Sequence, residues 1–219
     1  MNLRELDLIV VDLDDTMFLE RDYAKSGFNA VGSLVRDEFG ESGFSDHAWD
    51  LFMSGARGNI FNEALRALEI PFDPNLVVRL VEVYRSHTPE IHLASDASRA
   101  IRLLSDKMIG VVSDGPLNSQ AAKAHALDAP KWASHIILTE SLGVGFSKPH
   151  PLAFETLQER SMASPGGIVY IADNPMKDFV SPRALGWKTV RISRPLGLHR
   201  DVPSGDDVDF EVESFDELF

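Results

Sequence analysis

The stretch LIVVDLDDT, residues 8 to 16, constrains this chain more than any other. Four apolar residues run without alternation into Asp12, Asp14 and Asp15, and the acids end at Thr16. An unbroken apolar run is the pattern of a parallel strand covered on both faces. Carboxylates gathered at the mouth of such a strand repel one another and raise one another's pKa. The cluster therefore calls for a cation or for open water.

Similar runs recur at Leu8–Val11, 108–112, His135–Leu138, Ile168–Ala172 and Lys188–Ile192, and a short Phe210–Val212 segment predicts an edge strand. Helical patterns separate them: Ala97, Ile101 and Leu104 form one stripe, Leu117–Ala126 is alanine-rich, and 151–160 and 176–185 follow, with Gly186 as the stop. The alternation predicts an α/β fold, a Rossmann-like parallel sheet with helices on both faces and right-handed crossovers. Between residues 22 and 92 no strand pattern appears. Phe28/Val31/Val35, Ile60/Phe61/Ala64/Leu65/Leu68 and Leu76/Val77/Leu80/Val81/Tyr84 instead recur at amphipathic-helix spacing. The expected organisation is a catalytic core of residues 1–20 and 93–219, with an all-helical domain of residues 21–92 inserted after the first strand.

Composition narrows the partners. The 219 residues carry 34 acids against 21 bases, a net charge of −13, which argues against non-specific binding to nucleic acid or an anionic membrane. An anionic substrate remains compatible, because charges beyond about 8 Å are largely screened at physiological salt. The absence of cysteine excludes disulfides, thiolate metal sites and thiol catalysis. Neither a signal peptide nor an apolar membrane span is evident, so a soluble cytoplasmic monomer or homodimer is expected.

Ligands of open parallel sheets bind beyond the carboxyl ends of the strands. Those ends carry Asp12-Leu13-Asp14-Asp15-Thr16, then Ser113-Asp114-Gly115, then Asp173-Asn174-Pro175 with Asp178 five residues past Asp173; Ser147-Lys148-Pro149 stands between the third and fourth strands. Acids at three strand ends, a hydroxyl beside glycine and a lysine make a hard-cation site next to an anion site. Asp12 and Asp173 are the natural pair for Mg²⁺. Asp12 and Asp14 can both face the crevice while Leu13 turns into the core. Ser113, the amides around Gly115 and Lys148 suit a phosphoryl group.

Asp12-x-Asp14-x-Thr16, Ser113, Lys148-Pro149 and Asp173-x-x-x-x-Asp178, in that order at strand ends, resemble the haloacid dehalogenase superfamily of phosphohydrolases. The helical insert resembles that family's cap domain. The resemblance implies a Mg²⁺-dependent phosphatase acting on a small phosphorylated metabolite. Asp12 would form an aspartyl-phosphate, Asp14 would serve as general acid and then base, and Lys148 would neutralise charge. Asp12, Asp173, Asp178 and the main-chain carbonyl of Asp14 would bind the metal. Thr16, Ser113, Asp114 and Gly115 are the candidate substrate-binding residues of the core, although Asp15 and Asp114 lack a firm family role and also fit turn formers. In the insert, Arg57 between two glycines is read either as a grip on a substrate carboxylate or second phosphate, or as a surface arginine. Two positions depart from the pattern: Ala172 replaces the usual glycine before Asp173, and Ser113 replaces threonine while keeping the hydroxyl.

A hydrolytic dehalogenase is disfavoured by Asp14. A phosphomutase shares all four motifs. A phospho-acceptor signalling module of the response-regulator kind carries its acids in another order, and a silent binding protein would not need every charged role.

Overall fold

The computed structural model describes all residues, 1–219. Six strands form one parallel sheet: β1 Leu8–Val11, β2 Met108–Ser113, β3 His135–Leu138, β4 Ile168–Ala172, β5 Lys188–Ile192 and β6 Phe210–Val212. Their order is β3-β2-β1-β4-β5-β6, so β1 lies centrally and strand order reverses beside it. Leu8 pairs in register with Met108 on one side and with Ile168 on the other.

Burial explains why these strands lack alternation. Leu8, Val10, Val112, Ile137, Tyr170 and Ala172 share one face and pack against Ala153, Phe154 and Leu157 of a helix and against Trp187. The intervening Ile9, Val11, Val111, Val169 and Ile171 are buried as well. With neither face meeting water, β1 and β4 are apolar at every position. At the far edge, β6 leaves Phe210 and Glu211 exposed.

The chain divides into two compact units, Met1–Glu20 with Ile91–Phe219, and Arg21–Glu90. The helical unit is built from α1 Glu20–Phe39, α2 Phe44–Met53, α3 Ile60–Ala67 and α4 Pro74–Ser86. Its core is aromatic: the ring of Phe28 meets those of Phe52, Phe61 and Tyr84 at 5.9, 6.2 and 5.6 Å. Gly27 lets α1 approach closely, since a Cβ there would stand 2.4 Å from the Tyr84 ring. Pro74 opens α4, and Asp73 caps it by accepting from the Leu76 N–H at 2.9 Å.

The sheet unit holds α5 Ser95–Leu103, α6 Leu117–Ala126, α7 Ala129–Trp132, α8 Leu152–Ser161 and α9 Val180–Ala184. The helix expected over 176–185 is shorter than its pattern: residues 175–177 form a turn and α9 begins at Val180. Side chains compete for the backbone there. Asn174 Oδ1 accepts from the Met176 N–H at 3.0 Å, and Asp178 Oδ2 accepts from the Asn174 N–H at 3.0 Å. No helix is long and apolar enough to cross a membrane.

Candidate active site

The loops after β1, β2 and β4 meet at one edge of the sheet, because those three strands are adjacent. Asp12 continues β1, with its N–H donating to the Ile171 carbonyl at 3.0 Å. Leu13 turns inward and is wholly buried. Asp15 adopts φ 48° and staples the loop: its carboxylate accepts the N–H of Glu20, the first residue of α1, at 2.9 Å and that of Leu198 at 2.7 Å. Asp15 is thus a backbone cap.

Asp12, Asp173 and Asp178 are buried, and one carboxylate oxygen from each lies within 4.8 Å of the others. Lys148 enters this group from the loop before α8, its Nζ 3.2 Å from Asp12 Oδ1, 2.7 Å from Asp178 Oδ1 and 3.0 Å from the Tyr170 hydroxyl. The two carboxylate contacts are ion pairs only; neither oxygen accepts a well-directed hydrogen bond. Three carboxylates face one ammonium, an excess of two negative charges that a single divalent cation would cancel. Oxygen-only donors suit a hard cation. The residues present therefore fit a metal ion.

The electrostatics agree. Burial pushes the Asp12 carboxyl up to about 6, Lys148 pulls it back, and Asp178 and Asp14 add to the rise. Asp173 is pushed well above the usual carboxylate range by burial and by Asp12 and Asp178. For Lys148 burial works against the ammonium, but Asp12 and Asp178 outweigh it and hold its pKa well above the ordinary value. Glu20 is raised to about 7, by burial first and then by Asp14, despite Lys123.

Asp14 goes elsewhere. Its carboxylate lies outside the buried acid cluster: Lys123 Nζ stands 2.7 Å from Oδ1 and 2.9 Å from Oδ2, and Gln120 Nε2 donates to Oδ2 at 2.9 Å. Ser113 ends β2, and its hydroxyl donates to Gln120 Oε1 at 3.2 Å. Gly115, at φ +135°, follows it.

The structure places three further candidates from the sequence as follows. The Asp114 carboxylate accepts from the Lys148 N–H at 3.1 Å, the Thr139 hydroxyl at 2.7 Å and Lys177 Nζ at 2.8 Å, so it anchors loops rather than pointing at a substrate. Thr16 is wholly buried, and Arg194 grips its carbonyl through Nε at 2.9 Å and a terminal nitrogen at 2.6 Å. Arg57 lies in the helical unit, where its guanidinium donates to the carbonyls of Phe52 and Ala56 and sits 4.4 Å from the centre of the Phe52 ring.

Sequence reasoning missed several participants. Gln120 and Lys123 lie three residues apart on α6, and their only mark in the sequence is their place on the alanine-rich helix that follows the Ser113 motif. Arg191 donates to the carbonyls of Asp173 and His199 at 3.2 and 2.7 Å, and Arg194 also pairs with Asp96 at 3.1 Å. Arg191 lies within β5 and Arg194 two residues past its end, and neither falls in a motif, so nothing local announced them.

Comparison with known proteins follows the same lines. Residues 6–186 match the sequence profile of the haloacid dehalogenase-like hydrolases. The chain is 24% identical over 222 residues to glyceraldehyde 3-phosphate phosphatase of Methanocaldococcus jannaschii, covering 96% of this chain and 94% of the relative. Among solved structures it is similar to a HAD phosphatase from Thermococcus onnurineus, with 22% identity, TM-score 0.61 and coverage of 97% and 96% of the two chains. It is similar also to CbbY from Rhodobacter sphaeroides in complex with phosphate, with 16% identity, TM-score 0.64 and coverage of 97% and 96%.

Proposed function

The chain belongs to the haloacid dehalogenase-like hydrolase family and is a hydrolase of phosphate esters; from that premise we propose that it releases phosphate from a small phosphorylated metabolite by a two-step transfer through Asp12. The observation that carries this reading is the separation of two carboxylates only two residues apart. Asp12 joins Lys148 and the buried acids, whereas Asp14 is held by Lys123 and Gln120. Two like groups in unlike surroundings are suited to two different tasks.

In the first step an Asp12 oxygen attacks phosphorus, the phosphorus–oxygen bond to the leaving group breaks, and Asp14 gives that oxygen its proton. In the second, water attacks phosphorus and passes a proton to Asp14, the bond to Asp12 breaks, and phosphate departs. Lys148 offsets the charge gathered on Asp12 and the transferring group. The Ser113 hydroxyl, turned from Gln120 Oε1, donates to a phosphoryl oxygen, and Gly115 leaves the adjoining amides accessible. Asp114 acts indirectly, fixing the Lys148 backbone and Lys177.

Asp12, Asp173, Asp178 and the Asp14 carbonyl would hold a Mg²⁺ ion, which when bound supplies positive charge to phosphoryl oxygens and to the crowded acids. The relationship to glyceraldehyde 3-phosphate phosphatase supports a substrate in the size range of a triose or sugar phosphate. Arg57 is the residue of the helical unit whose charge suits a second anionic group on such a substrate.

Phosphate release measured across sugar phosphates, nucleotides and small phosphorylated acids, with and without Mg²⁺, tests the proposal. Asp12→Asn should cost at least about 1,000-fold in rate, the scale of losing a covalent nucleophile. Undiminished release in that variant, or isomerised sugar phosphate in place of free phosphate, overturns it.

A further inference from the structure

Lys123 is 4% exposed and sits on α6, outside every motif at the strand ends. Burying an ammonium is costly unless a partner compensates it. Here its Nζ meets both oxygens of Asp14, at 2.7 and 2.9 Å. Gln120, one helical turn earlier, donates to Asp14 Oδ2 at 2.9 Å and to the Asp114 carbonyl at 2.7 Å, and it accepts the Ser113 hydroxyl at 3.2 Å. One helix face thus ties the carboxylate after β1 to the turn after β2.

From this geometry we infer that Lys123, seconded by Gln120, is the positioning residue that aims the Asp14 carboxyl at the leaving-group oxygen. The inference rests on the proposed acid–base role of Asp14 and extends it to residues the motifs do not contain. A carboxylate gripped through both oxygens cannot rotate about its terminal bond, nor swing across to the Asp12, Asp173 and Asp178 cluster. The donors also tell its oxygens apart. Oδ2 receives both Lys123 and Gln120, which fills its two lone-pair directions, while Oδ1 receives Lys123 alone. Oδ1 is therefore the oxygen with a lone-pair direction left open toward the leaving group. Gly115 is required by the same arrangement: a Cβ at that position would stand 2.6 Å from Gln120 Nε2 and drive the amide off Asp14.

Aiming an acid matters only where the leaving group needs a proton. The test is kcat/KM, which reads the steps up to the phosphoenzyme, for a primary alkyl phosphate and for p-nitrophenyl phosphate. Lys123→Met should lower it by about 100-fold for the alkyl ester and by about 10-fold or less for the nitrophenyl ester, since a positioned general acid contributes on that scale. Gln120→Met should show the same ordering with smaller losses, and Lys123→Arg should restore part of the alkyl activity. Asp14→Asn serves as the reference. Equal losses on both esters in Lys123→Met, beside unequal losses in Asp14→Asn, overturn the inference and leave the acid role standing. Equal losses in Asp14→Asn itself overturn that role and this inference with it. Should Lys123→Met fail to fold, the ratio in Gln120→Met and Lys123→Arg decides by the same criterion.

Discussion

The ammonium of Lys148 stands 2.7 Å from Asp178 Oδ1, and both side chains are completely buried. Asp12 shares the same cation at 3.2 Å. Removing one member of a buried ionic group costs about 3–5 kcal/mol, because the remaining charges lose their compensation. Lys148→Met should therefore lower thermal stability clearly and abolish most phosphate release. Added Mg²⁺ should recover stability more than activity, since it can neutralise the acids but cannot replace the ammonium beside Asp12. Thermal melts and phosphate release, each with and without Mg²⁺, check both halves.

Stability without metal should fall as pH rises. The Asp12 carboxyl lies at about 6 in the folded protein against an ordinary 3.8, and Glu20 at about 7 against 4.5. The folded chain binds these protons more tightly than the unfolded chain. Their contribution is complete below the ordinary values and is lost as pH climbs through about 6 and about 7. Asp173, also raised, acts in the same direction. Melting temperatures of metal-free protein should thus decline from about pH 5 to about pH 8, and saturating Mg²⁺ should flatten the decline, because a bound cation favours the ionised acids.

Asp114→Ala should reduce kcat by about 10–100-fold, the usual cost of losing a residue that orients a reacting group. Its carboxylate holds the Lys148 N–H, Thr139 and Lys177 together. Steady-state kinetics on the best substrate would show a fall in kcat larger than any rise in KM.

Arg194→Met should destabilise the protein by about 3–5 kcal/mol, since Asp96 and the Thr16 carbonyl would both lose a buried partner. For a chain of this size that is a fall in melting temperature of about 10 °C. Pairing the change with Asp96→Leu should recover part of the loss, because no orphaned charge then remains. A double-mutant melting series measures the difference.

The sequence by itself determined the parallel sheet, its strand positions and the stations of Asp12, Ser113, Lys148, Asp173 and Asp178. Strands buried on both faces show as unbroken apolar runs, and their mouths are where charge can gather, so both patterns are written locally. Helix α6 was legible to the residue from its alanine-rich run. Only the tertiary structure decided which acid meets which base. Asp12 and Asp14 look alike in the chain, but the first follows β1 beside Lys148, whereas the second faces Lys123, 109 residues later. The turn at 174–178 and the grips of Arg191 and Arg194 were likewise hidden, because each depends on partners brought close by folding rather than by spacing. Hydrophobic burial is a property a residue carries along the chain; an ion pair exists only once two distant segments share the same few ångströms.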